Sequence, residues 1–382
     1  MNPVELLRCV LAIPSTPEAA RETEVAELFR TVAETAGVDN HVVEPSPGKG
    51  SFVASLEGST NERVLLLAHL DVAFSESSDW RVSPFSGVVR RGAIWGCGAV
   101  DAKGLAVVWL ASLLAVHADD RPLKRGITLI VAADEESGGA LGTEWVLRGE
   151  PGLADCAVAF GEGGGYRFRW RGREFVTIQT GECGRVRFRA PGTASVAWVG
   201  RYAYWSRTTD ELLRSLVPTA SDNGTRLATI RSHAFPLDVE ASVFCRARPT
   251  GDGAHLLSYP PSCDVETALD AFCDGNALRR DELTVESHEP SSESSYETPF
   301  FDIVQTVVAE RRPRATFLPV ITPGYSDNRF LRRRNALTYG FIPCLRLTTA
   351  RRQHRPNERL PVSELTEAIR MATRLLERLC FD

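Results

Sequence analysis

Lysine is nearly missing from this chain of 382 residues: Lys49, Lys103 and Lys124 are the only three, and the other 41 of its 44 basic side chains are arginine. That bias reads as the imprint of a GC-rich bacterial genome. No apolar stretch approaches the ~20 residues that a membrane-spanning helix needs, so no membrane partner is expected. Nine cysteines occur, but none as C-x-x-C. Scattered and odd in number, they read as reduced thiols of a cytoplasmic protein, against a disulfide frame or a zinc ribbon. No long basic cluster with interleaved aromatics is present, and the nearest approaches, Arg332-Arg333-Arg334 and Arg351-Arg352, are short. With a net charge of −5, nucleic acid is not expected as a partner. The first residues lack the pattern of a signal peptide, and Val4 to Leu11 reads as a charged amphipathic helix instead. No internal repeat is visible.

What is present fits a globular enzyme. Hydrophobic residues make up 43% and charged residues 24%, ordinary values for a packed protein, and the length suggests two domains. The most informative segment is His69-Leu70-Asp71, which closes the apolar run Val64 to Ala68. Three further acidic sites follow: Asp101 before Lys103-Gly104, the pair Glu135-Glu136 before Ser137-Gly138-Gly139, and Glu162 before three glycines. From His69 to Asp101, Glu136 and Glu162 the steps are 32, 35 and 26 residues. A strand with its crossover helix takes roughly 30 residues, so successive strand-end loops can converge on one site. A single acid beside glycines is usually a turn residue; four in series are not so explained.

Carboxylates gathered without a cation repel one another, and a divalent metal removes that cost. Neutral imidazole with carboxylate oxygens suits zinc, with Co²⁺ or Mn²⁺ as substitutes. His354, in Gln353-His354-Arg355-Pro356-Asn357-Glu358, would supply a second imidazole. Two histidines and three carboxylates suffice for two metals sharing one bridge, with Glu135 left over.

At this point the chain resembles the di-zinc superfamily of aminoacylase, acetylornithine deacetylase, succinyl-diaminopimelate desuccinylase and glutamate carboxypeptidase. The likeness runs from Leu11-Ala12-Ile13-Pro14-Ser15 through His69-Leu70-Asp71-Val72, Trp80 to Phe85 and Gly96-Cys97-Gly98. It continues in Asp101-Ala102-Lys103-Gly104 and Asp134-Glu135-Glu136, then in Gly324-Tyr325-Ser326-Asp327 and His354 to Glu358. The resemblance implies an α/β catalytic domain with a mixed, mostly parallel sheet flanked by helices, in segments 1–181 and 291–382. A smaller α+β lid or dimerisation domain is inserted at 182–290. It also implies roles: His69 and Glu162 on one metal, Glu136 and His354 on the other, and Asp101 bridging. Glu135 would be the general base, Asp71 would orient His69 by hydrogen-bonding its far ring nitrogen, and the Asp101–Ala102 peptide would be cis.

The inserted segment departs from the family pattern. Where the family has a histidine after Gly-x-x-x, this chain has Val196 in Gly192-Thr193-Ala194-Ser195-Val196, and His233 stands where an asparagine is usual. Arg246 matches by count the family's substrate-gripping arginine, with Arg248 as the alternative. A valine side chain offers no hydrogen-bond donor. Three explanations stay open: His233 replaces the donor, Ser195 or Thr193 donates more weakly, or the ordinary substrates of the family are not hydrolysed. Asn328 and Arg329 are candidates to line the pocket, or else first-turn helix residues. The expected activity is metal-dependent hydrolysis of an amide in a small N-acyl amino acid or dipeptide that carries a carboxylate, with a homodimer through the inserted domain. The alternatives are amide formation or trimming in secondary metabolism, or metal binding without catalysis.

Overall fold

The computed structural model describes residues 1–381 except 74–77, 120, 192–197, 200–205, 233–234 and 240–242. The run Val64 to Ala68 is apolar at every position, a pattern that suits a strand covered on both faces. It forms part of the strand Arg63–His69, whose side chains diverge. Val64, Leu66 and Ala68 enter one core cluster, and Leu65 and Leu67 enter another. Gly126–Ala132 and Val158–Gly161 lie parallel on its two sides, and Thr338–Gly340 extends the parallel block beyond Val158–Gly161. Ser51–Leu56 and Asp39–Val43 add antiparallel strands at one margin. At the other, the long strand Arg173–Glu182 runs antiparallel to Thr338–Gly340 and carries Ala315–Thr322 in parallel. The result is a mixed ten-stranded sheet with a parallel centre, in the α/β class that the sequence implied.

Helices cover both faces. Lys103–His117 is mostly apolar and mostly buried between the sheet and the C-terminal helix Val362–Cys380, with only its last turn reaching solvent at Ala115 and His117. That helix buries Leu365, Ala368, Met371, Ala372, Leu375, Leu376 and Leu379 at helical spacing.

Between Gly184 and Glu289 the chain builds a second sheet. Its five antiparallel strands lie in the order Trp198–Val199, Cys245–Pro249, His255–Tyr259, Gly184–Arg189 and Thr284–Glu289. Alternation sorts its residues. Val186, Phe188, Cys245, Ala247, Leu257 and Tyr259 close over the helix Val265–Asn276 in a core of their own. Arg185, Arg187, Arg246 and Arg248 occupy the intervening positions, on the other face.

The helices Arg207–Leu216 and Asn223–Ser232 pack Leu212, Leu213, Leu216 and Leu227 against Phe175, Leu318 and Val320 of the first sheet. Leu237 and Val239 join that same cluster, and Cys245–Pro249 is the strand that pairs in the second sheet. After Glu289 the chain returns to the first sheet, where Ser292–Glu293 pairs with Gly181 and Glu182 at its edge. Among the described residues no helix is long and apolar enough to cross a membrane.

Candidate metal centre

Five elements deliver side chains to the carboxyl edge of the parallel strands. His69 ends the strand Arg63–His69. Glu135 and Glu136 open a short helical turn after Gly126–Ala132, and the turn is entered through Asp134 in a left-handed conformation, φ 66°. Glu162 follows Val158–Gly161. Asp101 sits just before Lys103–His117, and the Asp101–Ala102 peptide is cis. His354 arrives from the loop between Leu347–Ala350 and Arg359–Pro361, also left-handed at φ 55°.

Asp101 stands between the two imidazoles. Its Oδ1 is 3.1 Å from His69 Nε2 and its Oδ2 is 3.0 Å from His354 Nε2. On the first side Glu162 Oε2 is 3.6 Å from His69 Nε2; on the second, Glu136 Oε1 is 3.0 Å from His354 Nε2. Glu135 Oε2 lies 4.0 Å from His69 Nε2, buried and outside the Asp101 contacts. Donor atoms of His69, Asp101 and Glu136, and those of His69, Glu135 and Glu162, lie within 4.8 Å of one another.

The electrostatics are those of crowded acids. Burial lifts the Glu162 carboxyl to about 8, helped by the charge of Asp101. Burial and then Glu162 hold Glu135 well above the carboxylate range. Burial alone would lower His69, but Glu162, Asp101 and Asp71 overcome it and hold the imidazole well above its ordinary value. Hydrogen bonds to Asp101 and Glu136 raise His354 to about 11. Cationic charge is stabilised where these oxygens meet, and the donor set is one that divalent zinc, cobalt or manganese accepts.

Asp71 approaches His69 through its backbone and its carboxylate. The nearest partner of His69 Nδ1 is the backbone oxygen of Asp71 at 3.0 Å, while the carboxylate stands at 3.4 Å. The carboxylate also accepts the Glu135 and Glu136 amides, at 3.1 and 2.9 Å. Asp71 therefore fixes His69 and the Glu135–Glu136 turn together.

These observations agree with a family assignment. The model of peptidase family M20/M25/M40 matches residues 65–378. The chain belongs to that family. Among its M20 relatives, a succinyl-diaminopimelate desuccinylase of Methylocella silvestris is 33% identical over 152 residues, 38% of this chain and 38% of that protein. An N-formyl-4-amino-5-aminomethyl-2-methylpyrimidine deformylase of Halalkalibacterium halodurans is 31% identical over 140 residues, 35% of this chain and 33% of that protein. The matched stretch thus spans little more than a third of these relatives. The solved structure of an M20 family metallo-carboxypeptidase from Sulfolobus solfataricus superposes with a TM-score of 0.71 at 16% identity, covering 99% of both chains. At that identity the likeness shows the fold alone.

Other expected residues lie apart from the cluster. Asn328 is buried, and its amide donates to the Glu162 backbone oxygen at 2.9 Å and to Gln179 at 3.0 Å. Arg329 is buried against Tyr325 and Phe330 and donates to the backbone oxygens of Ser326 and Gly138, 2.7 Å each. Through these contacts both residues tie down the loops behind Glu162 and Glu136. Arg246 is an exposed residue of the second sheet, 3.6 Å from Asp238. Arg246, Arg185 and Arg248 line a cavity of about 270 Å³ bounded by Pro323 and Gly324. His233, Val196, Thr193 and Ser195 lie outside the described residues.

Glu358 was not foreseen as a site residue in M20 terms, although it closes the His354 motif. It is buried, and its carboxylate accepts the amides of Gly98 at 3.2 Å, Val100 at 2.7 Å and Asp101 at 3.1 Å. It ties the His354 loop to the Asp101 loop. Lys103 is also buried and donates to the Val10 and Ile13 backbone oxygens, at 2.9 and 2.8 Å. Burial lowers its ammonium to about 7.

Proposed function

We propose that this chain is a metallohydrolase that cleaves the amide bond of small N-acyl amino acids or dipeptides. It would hold two divalent ions, zinc first, with Co²⁺ or Mn²⁺ as substitutes. His69 and Glu162 would hold one, Glu136 and His354 the other, and Asp101 both. The observation that carries this reading is the position of Asp101, with one carboxylate oxygen turned to each histidine. Such ions, when bound, polarise a carbonyl and acidify water.

The remaining work falls to the protein. Glu135, beside the cluster but outside the Asp101 contacts, would take a proton from the attacking water and return it to the leaving nitrogen. Asp71 and Glu358 would keep the three ligand-bearing loops in register through five backbone amides. Arg246, on the inserted unit proposed at 182–290, would receive the substrate carboxylate. The names of the two matched relatives, a desuccinylase and a deformylase, describe removal of an acyl group from nitrogen, which supports amide hydrolysis here. Nine cysteines without a disulfide support a reducing, cytoplasmic setting. The strand Thr284–Glu289, exposed along most of its length at a sheet edge, suits the proposed homodimer.

The test is elemental analysis of the purified protein followed by a screen of N-acetyl, N-succinyl and dipeptide substrates. Two metals per chain and chelator-sensitive turnover are expected. Two metals with no turnover of any of these compounds would remove the hydrolase reading.

A further inference from the structure

Beside Glu162 lies a second cavity, of about 130 Å³, whose lining includes Gly163, Tyr166, Leu212, Leu237, Val239 and Ile321. A cavity of about 150 Å³ admits benzene, so this smaller one suits a branched aliphatic group of a few carbons. It begins one residue beyond a proposed metal ligand. It also adjoins the arginine cavity, because Pro323 lines both. Asp238 lines the apolar cavity, yet its carboxylate is turned to Arg246, 3.6 Å away in the arginine cavity. Arg185 and Arg246 both sit across from Ser258, on the strands to either side of it. Arg185 is half-buried over the Tyr325 ring, 4.4 Å from its centroid, and Arg248 repels it. The arginine cavity therefore concentrates positive charge and already faces one carboxylate from the protein.

We propose that the apolar cavity is the subsite that selects the substrate's amino-acid side chain. The side chain would enter the space lined by Leu212, Leu237 and Val239, while the α-carboxylate, held on Arg246 as proposed above, displaces Asp238. A side chain and a carboxylate joined through one Cα are neighbours, as the two cavities are. This rests on the hydrolase reading for its substrate, an N-acyl derivative of a leucine-sized residue, but the subsite can be tested without turnover.

The probe is 4-methylpentanoate, which carries the isobutyl chain and carboxylate of leucine, with acetate as its control. Calorimetry on the purified protein should show the longer acid binding at least about tenfold tighter, the ratio that burying a leucine side chain corresponds to. Leu237→Trp, at a half-buried loop position, should abolish that preference with an unchanged melting midpoint. Leu237→Ala should move it toward longer chains if the tryptophan variant does not fold. Asp238→Asn should tighten both acids, and Arg248→Ala should weaken both. In hydrolysis, N-acetyl-leucine should exceed both N-acetyl-glycine and N-(4-methylpentanoyl)-glycine in kcat/KM. Equal binding of the two acids, or a preference that follows the acyl chain, would overturn the assignment. Selective binding without hydrolysis of any substrate would support the subsite and remove the hydrolase reading instead.

Discussion

The two sheets handle charge in opposite ways. On the first, acids are gathered at the ends of buried parallel strands and locked from behind by backbone amides. On the second, arginines lie along the outer face of an antiparallel sheet, paired with exposed acids such as Glu286 and Asp238. The first arrangement is rigid and costly without a counter-ion, because burial raises the acids it collects. The second is open to solvent and screened. The contrast separates a centre built to hold cations from a surface able to exchange one carboxylate for another.

The largest expected effect attacks the first sheet alone. Glu135→Ala should lower kcat by about 10²–10⁴-fold while two metals remain, measured by steady-state turnover beside elemental analysis. Retained turnover would take Glu135 out of the chemistry. Next comes removal of the metals. A ligand present at a hundredfold its dissociation constant stabilises a fold by about 2.7 kcal/mol, so chelation should lower the melting midpoint. Hydrogen exchange should rise around His69, Asp101 and Glu136 and stay level in the strands His255–Tyr259 and Gly184–Arg189. Equal changes in both sheets would erase the distinction.

Glu358→Gln sharpens the comparison at smaller scale. It removes an acceptor from a set of three buried amides and should cost roughly 1–3 kcal/mol by urea unfolding, with weaker metal retention. The smallest effect belongs to the second sheet. Arg187→Ala breaks contacts to Glu286 and Asp252 on the outer face and should leave both the unfolding midpoint and metal content unchanged. A large loss there would show that the outer face is structural after all.

Legibility follows the same division. His69, Asp101, Glu136 and Glu162 were readable because each ends an apolar run or opens a glycine turn, and strand-helix spacing makes such ends converge. His354 was readable only through its surrounding motif. Glu358 was not, since all three of its contacts are to backbone, and backbone contacts leave no pattern in residue identity. The helix Arg207–Leu216 shows why packing partners stayed hidden. Its amphipathic spacing marks Leu212, Leu213 and Leu216 as buried, but only the structure reveals that they face Phe175 and Val320.

The most direct measurement is metal stoichiometry on the wild type and on His354→Ala. A bridging Asp101 between two imidazoles predicts two equivalents of divalent metal per chain in the first protein and about one in the second, with the fold intact. One equivalent in both proteins, or none in the wild type after reconstitution, would contradict a two-ion centre.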